Sequence, residues 1–399
     1  MKDNKFGTKA IREGYKTTQE QEHSAAIFLT SSFTFDSAEQ AAQRFVKEEQ
    51  GNVYSRFTNP TVDAFQKKLA SLEDAESCLA TASGMSAIFA TIMALSKSGD
   101  HIVASRGMFG TTIVLLNNIV NKFGIEVTFV DLPDLVAWQD SIQSNTKLFI
   151  LETPSNPLGE IVDLRKLSAI SKKHNIILTV DNCVMTPALQ KPLALGADIV
   201  IHSATKYIDG QGRCLAGAIA GNTLLLEEIF SFIRTTGPTL SAFNAWIVLK
   251  GLETLPLRMR AHCDNARQLA NWLNDQSFVE NVHYLGLESH PHHQIAKEQQ
   301  CDFGGIVSFE VSGGKKAAFR LINNTKMISI TANLGDTKST ITHPASTTHA
   351  QMDAETMKHA GLTEDMIRFS VGIEDVDDII NDFDNGFKAA RKPRLVANQ

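Results

Sequence analysis

The stretch IHSATKY, residues 201–207, sets two hydroxyls and a lysine directly after the β-branched run Ile199-Val200-Ile201. So short an apolar run reads as a buried strand of a parallel sheet, which places Lys206 just past the strand's carboxyl end. Open α/β sheets bind their ligands along that edge. A second such run, IILTV, ends in Asp181, where a bare carboxylate is costly unless it meets a cation or hydrogen-bond donors. A third signal is TASGMSAIFATIMAL, in which Ser83-Gly84-Met85 opens a strongly apolar helical run. Free backbone N–H groups and the helix dipole favour a phosphate at such a start. Ser203 and Thr205 could add hydroxyl donors to the same anion.

Taken singly, Lys206 reads equally as a surface cation, Asp181 as a helix cap and Gly84 as a turn glycine. One ligand accounts for all three: an aldehyde for Lys206, a ring nitrogen for Asp181 and a phosphate for the Gly84 turn. That ligand is pyridoxal phosphate. The lysine would form a Schiff base with its aldehyde, and the aspartate would keep the ring nitrogen protonated so that the ring accepts electrons.

The elements that must position these groups follow from the pattern around them. From TVDAFQKKLASLE onward, helical periodicity alternates with the short apolar runs HIVAS, EVTFV, LFILET, IILTVDN and DIVIHS. That alternation predicts βαβ units and a mostly parallel sheet with helices on both faces. Residues 1–60 are polar and end in VYSRFTNPT, which predicts an arm that reaches across a surface. Residues 61–256 form the large domain, and the helical pattern LKGLETLPLRMRAHCDNARQLANWLND, with Pro256 inside it, marks its end. Residues 257–399 carry GGIVSFEV and MIRFSVG among helices, which predicts a smaller α+β domain. The basic tail ARKPRLVANQ is expected to be solvated.

Composition excludes several functions. With 43% hydrophobic and 21% charged residues the chain is an ordinary globular protein, and a net charge of -6 leaves no basic footprint for nucleic acid or an anionic membrane. The charged N-terminus lacks an apolar signal region and no run has the length of a membrane span, so the expected location is cytoplasmic. The five cysteines form no C-x-x-C pair, which argues against a zinc site or a disulfide framework. His290, His292 and His293 in SHPHHQ lack an acidic or cysteine partner at ligand spacing, so no metal is expected and the stretch reads as a solvated loop.

VDN followed by HSATKY, with YSRFTNPT and ASGMSA upstream, resembles the Cys/Met-metabolism family of pyridoxal-phosphate enzymes, and the resemblance runs from Tyr54 to IRFSVGIEDVDD. It implies the aspartate-aminotransferase-like α/β fold (fold type I), with a large mostly parallel-sheet domain plus a smaller C-terminal α+β domain, and a homotetramer built from catalytic dimers. It also implies that Lys206 holds the cofactor, Asp181 pairs with the ring nitrogen and Asn156 of TPSNP lies near the ring hydroxyl. Ser83, Gly84, Met85, Ser203 and Thr205 would surround the phosphate. Tyr54 and Arg56 would reach the phosphate of the neighbouring subunit; without the resemblance, Arg56 reads as a surface arginine beside a turn. Arg368 occupies the family's place for the substrate α-carboxylate, although a lone arginine beside a strand is more often a surface charge.

Two departures narrow the expected reaction. Phe109-Gly110-Thr111 stands where the family's lyases commonly carry Tyr-Gly-Cys, so Phe109 could stack on the cofactor but has no hydroxyl for a leaving thiol. Asn333 in TANLGD replaces a serine, at a position where a substrate carboxylate contact is expected. The stretches HSATKYIDGQGR, TGPTLSAFNAW and ITANLGDTKSTITHPASTTH are most similar to members that exchange the acyl group of an activated homoserine for sulfide, giving homocysteine. Cysteine as the incoming thiol, an acetyl ester, elimination from methionine and a non-catalytic cofactor-binding scaffold remain the alternatives.

Overall fold

The structure, a computed structural model, describes residues 4–350, 357 and 361–391. The N-terminal segment carries α1 (Phe6–Arg12) and α2 (Ala38–Phe45) and leads into α3 (Pro60–Glu73). Asn59 fixes the start of α3: its side-chain oxygen accepts from the amides of Thr61 and Val62, and Pro60 takes the first helical position. Strands and helices then alternate as β1 (Ser77–Thr81), α4 (Gly84–Leu95), β2 (His101–Ser105), α5 (Gly110–Asn118), β3 (Glu126–Val130), α6 (Leu135–Asp140) and β4 (Thr146–Glu152). The series continues with α7 (Leu164–Lys173), β5 (Ile177–Asp181), α8 (Thr186–Leu189), β6 (Ile199–Ser203), β7 (Gly217–Gly221) and α9 (Thr223–Thr236).

These strands form a seven-stranded sheet in the order β1-β7-β6-β5-β4-β2-β3, in which β7 runs against both neighbours and the remaining pairs are parallel. Alternate residues go to opposite faces. Ile102, Ile150, Ile199 and Ile201 pack with α4, α5 and α9 on one face, while Val103, Phe149, Leu178 and Val180 pack with Trp138, Leu164 and Leu167 on the other. Each such side chain contributes about 1.5–3 kcal/mol by leaving water, so a one-residue slip of any strand would be expensive. The C-terminal ends of β4, β5 and β6 are thereby held in fixed register.

Beyond the sheet, α10 (Ala242–Asn274) runs for 33 residues straight through Pro256. The chain goes on with β8 (Val279–His283), α11 (His293–Gln299), β9 (Ile306–Val311), α12 (Gly314–Asn323), β10 (Ser329–Ile330), β11 (Thr340–Thr342), β12 (Met366–Ser370) and a final helix, Val376–Arg391. Their five strands make a second sheet, β10-β11-β12-β9-β8, antiparallel except for the β10–β11 pair. Leu252, Leu255 and Met259 of α10 belong to the core under the large sheet, and Ala266, Leu269 and Leu273 to that of the small one. Packing on both cores offsets the hydrogen bond lost at Pro256.

Three sequence expectations meet particular structure here. The N-terminal arm is partly docked on its own chain, because Ala10 of α1 is fully buried against α3 and α10. SHPHHQ is not simply a solvated loop: His290 is buried and bonds through Nε2 to the carbonyl of Leu158. The tail beyond Arg391 lies outside the described residues. Among the described residues no group of three or more His, Cys, Asp or Glu is arranged to hold a metal, and no helix is long and apolar enough to cross a membrane.

Candidate active site

Lys206 follows β6 by three residues, at the carboxyl edge of the large sheet. Its amine donates to Asn333 Oδ1 at 2.5 Å, joining the lysine to the loop between β10 and β11. Burial lowers its pKa, and the charge of Arg368 pushes the same way, against the opposing influence of Cys183 and Glu152. A larger share of the amine is therefore neutral, as a nucleophile or proton carrier requires.

Asp181 ends β5, directly beside Ile201 of β6. Its Oδ1 accepts from the amide of Cys183 at 3.0 Å, and among the described residues no cation is hydrogen-bonded to it. Burial pushes its pKa up to about 6, against the Cys183 amide and the pull of His202, which favour the charged form. On the opposite face of β6, His202 Nε2 and Glu73 Oε1 lie 2.6 Å apart, both fully buried. A carboxylate so placed suits a ligand that brings its own positive charge.

The start of α4 has the form that suits an anion. Ser83 caps the helix, its hydroxyl accepting from Ser86 N while Ser86 Oγ accepts from Ser83 N, a reciprocal capping box. The Ser83 carbonyl takes the Ala87 amide, which leaves the amides of Gly84 and Met85 at the helix start. A Cβ on Gly84 would come within 2.7 Å of Ser203 Cβ, so only glycine lets this turn approach the end of β6. The hydroxyl of Thr205 is engaged with Ala216, donating to its carbonyl at 3.2 Å and accepting from its amide at 3.0 Å. Gly84, Met85 and Ser203 thus converge, whereas the hydroxyls of Ser83 and Thr205 serve the local backbone.

Arg368, on β12, is 1% exposed. It donates through Nη2 to the carbonyls of Ala332 (2.8 Å) and Asn333 (3.1 Å) and through Nη1 to Asn156 Oδ1 (3.3 Å), while Nε has no partner. A buried donor left over on a guanidinium suits a carboxylate. Asn156 is itself buried, in the loop after β4. Phe109 precedes α5, and its amide donates to Glu152 Oε2 at 2.9 Å. Tyr54 and Arg56 stand apart from this group: Tyr54 is 40% exposed, and Arg56 donates to the carbonyl of Arg234 and lies over the ring of Phe57.

Lys206, Asp181, Ser203, Gly84, Asn333, Arg368, Asn156 and Phe109 therefore share one edge where the two sheets meet. Sequence reasoning missed Glu152, which ends LFILE as Asp181 ends IILTVD and carries the same signal, a charge closing an apolar strand. It also missed the Glu73–His202 pair, because a glutamate near a helix end carries no such mark. An uncompensated aspartate, a desolvated lysine and free amides at a helix start fit the ring nitrogen, aldehyde and phosphate of pyridoxal phosphate.

A family model described as Cys/Met metabolism PLP-dependent enzyme matches residues 7–388. The chain is 53% identical to an O-succinylhomoserine sulfhydrylase of Pseudomonas aeruginosa, over 96% of this chain and 95% of that protein. It is 43% identical to an L-methionine gamma-lyase of Fusobacterium nucleatum subsp. nucleatum, over 97% and 99%. Among solved structures, a putative O-acetylhomoserine (thiol)-lyase of Campylobacter jejuni, which contains a pyridoxyl-lysine phosphate, superposes with TM-score 0.93 at 35% identity, covering 96% of this chain and all of that one. A cystathionine gamma synthase of Xanthomonas oryzae in complex with aminoacrylate and cysteine gives TM-score 0.93 at 35% identity, covering 97% and 98%.

Proposed function

The chain belongs to the Cys/Met-metabolism family of pyridoxal-phosphate-dependent enzymes, and from that premise we propose that it is an O-succinylhomoserine sulfhydrylase, replacing the succinyl group of O-succinylhomoserine with sulfide to give homocysteine. The relative at 53% identity bears that name. The observation that carries the choice of reaction is Phe109, which stands at the head of α5 with its amide held by Glu152 and offers the site no hydroxyl.

When bound, pyridoxal phosphate supplies an electron sink for charge released at the substrate's carbons. The chain's own residues divide the remaining work. Lys206 would hold the cofactor, and its Nζ, when free, would carry protons at the substrate's Cα, Cβ and Cγ. Asp181 balances the charge of the ring nitrogen. The Gly84 and Met85 amides with Ser203 hold the phosphate, and Ser83 keeps that helix start in shape. Arg368 offers its unpaired Nε to the substrate α-carboxylate, with Asn333 and Asn156 fixing the guanidinium from either side. Tyr54 and Arg56 complete the phosphate site of a neighbouring subunit, so the active unit is a dimer within a homotetramer. Tyr54 is exposed, and Arg56 lines a cleft of about 900 Å³ together with Tyr15, Phe57 and Leu240, which supports that reading. A cytoplasmic setting is supported by five cysteines that form no disulfide.

Succinate departs readily as an anion, whereas a thiolate leaving from methionine benefits from a proton donor. General acid assistance is worth roughly a hundredfold to ten-thousandfold, enough to separate the two reactions. The test compares homocysteine formation from O-succinylhomoserine and sulfide with α-ketobutyrate release from methionine, in the parent and in Phe109→Tyr. Replacement dominates in the parent, and the tyrosine variant gains elimination. A parent that degrades methionine faster than it consumes the ester sinks the proposal. Running O-acetylhomoserine and cysteine in the same assay decides the ester and the thiol.

A further inference from the structure

Glu152 closes β4 as Asp181 closes β5, and the two residues are direct partners in the parallel register. Adjacent strands lie about 4.8 Å apart, and paired residues send their side chains to the same face. Two carboxyl groups thus sit side by side at the edge where the cofactor would bind, with Glu152 only 5% exposed. Two such groups cannot both hold a negative charge out of water without a close cation.

Of the candidate cations, only Nε of Arg368 is left without a partner among the described residues. Lys206 donates to Asn333, and the terminal nitrogens of Arg368 donate to Asn156, Ala332 and Asn333. Neither is hydrogen-bonded to Glu152, whose Oε2 accepts from the Phe109 amide. Asp181 has better support for a charge, in the Cys183 amide and the pull of His202. Burial first, then the charge of Asp181, hold the Glu152 carboxyl well above the usual carboxylate range, against the Phe109 amide, Arg368 and Lys206.

We propose that Glu152 is a positioning residue that enters the site as an uncharged carboxyl group, fixing the head of α5 through the Phe109 amide and leaving Asp181 the single anion on that edge. Through the amide it sets where the Phe109 ring stands, and through its neutrality it reserves the cofactor's positive nitrogen for Asp181. The inference rests on the reading of Asp181 as the partner of that nitrogen.

The experiment strips the enzyme of cofactor and titrates pyridoxal phosphate back, following its absorbance and the quenching of tryptophan fluorescence from pH 5.5 to 9. It compares the parent with Glu152→Gln, Glu152→Ala and Asp181→Asn. Glutamine keeps the acceptor for the Phe109 amide without any charge, so Glu152→Gln binds within about threefold of the parent with the same pH profile. Glu152→Ala binds about tenfold more weakly at every pH, as expected for one lost buried hydrogen bond. A glutamine variant as weak as alanine overturns the proposal. So does a pH transition in the parent that glutamine abolishes, and that comparison stands even if the alanine variant does not fold. A parent that fails to bind the cofactor at all refutes the underlying site reading instead.

Discussion

Lys206 and Asp181 announce themselves in the sequence because each closes a strand of apolar residues, where a charge needs a reason. Replacing Lys206 with alanine removes the residue we propose as both covalent anchor and proton carrier, so turnover should disappear together with the visible absorption of the held cofactor. An unchanged spectrum in that variant would place the anchor elsewhere. Asp181 gives a pH signature. Its pKa rises from the ordinary 3.8 to about 6 in the cofactor-free chain, so the folded state holds this proton more tightly than the unfolded one. The resulting stability is complete below about pH 4 and lost as pH rises through about 6. Asp181→Asn therefore raises the melting temperature of the cofactor-free protein at pH 7.5 and leaves it unchanged at pH 4. An equal shift at both pH values would remove this account. Other residues were illegible because their meaning depends on a distant partner: Glu73 and His202 are 129 positions apart and meet only in the fold.

At the scale of elements, the runs HIVAS and EVTFV coincide with β2 and β3, since β-branched and aromatic residues declare a strand. GAIAG, which forms β7, declares nothing. Its residues are small because the chain needs close approach there: a Cβ on Gly217 would collide with the carbonyl of Ser83. Propensity gave way to packing, and the reversed strand of the large sheet was missed for that reason. Pro256 does not interrupt its helix. The boundary expected at residue 256 falls in mid-helix, and we propose that the division between the two domains runs along α10, whose two halves serve different cores. The close approach at Gly84 yields a direct prediction. Gly84→Ala forces the head of α4 away from Ser203, so affinity for pyridoxal phosphate falls at least tenfold while the fold persists. Titration of the cofactor-free variant measures it, and parental affinity would show that this helix start does not hold the phosphate.

At the scale of the whole molecule, the two-sheet architecture was legible from the change of texture after the last parallel strand, but the assembly was not, because no local pattern encodes a partner. The division of labour proposed for Tyr54 and Arg56 is testable without a structure of the assembly. Arg56→Ala and Lys206→Ala each damage a different half of a shared site, so mixing the two inactive variants under conditions of subunit exchange restores part of the activity. No recovery despite proven exchange would confine each site to a single chain. Within one chain, the contact between Lys206 and Asn333 has a mechanical meaning. The lysine is bolted to the large sheet, the asparagine to the small one, and the unbroken α10, about 50 Å long at 1.5 Å per residue, is the beam that spans both. The hydrogen bond from Lys206 to Asn333 is thus a second tie between the two sheets, so whatever engages that amine also acts on the loop between β10 and β11.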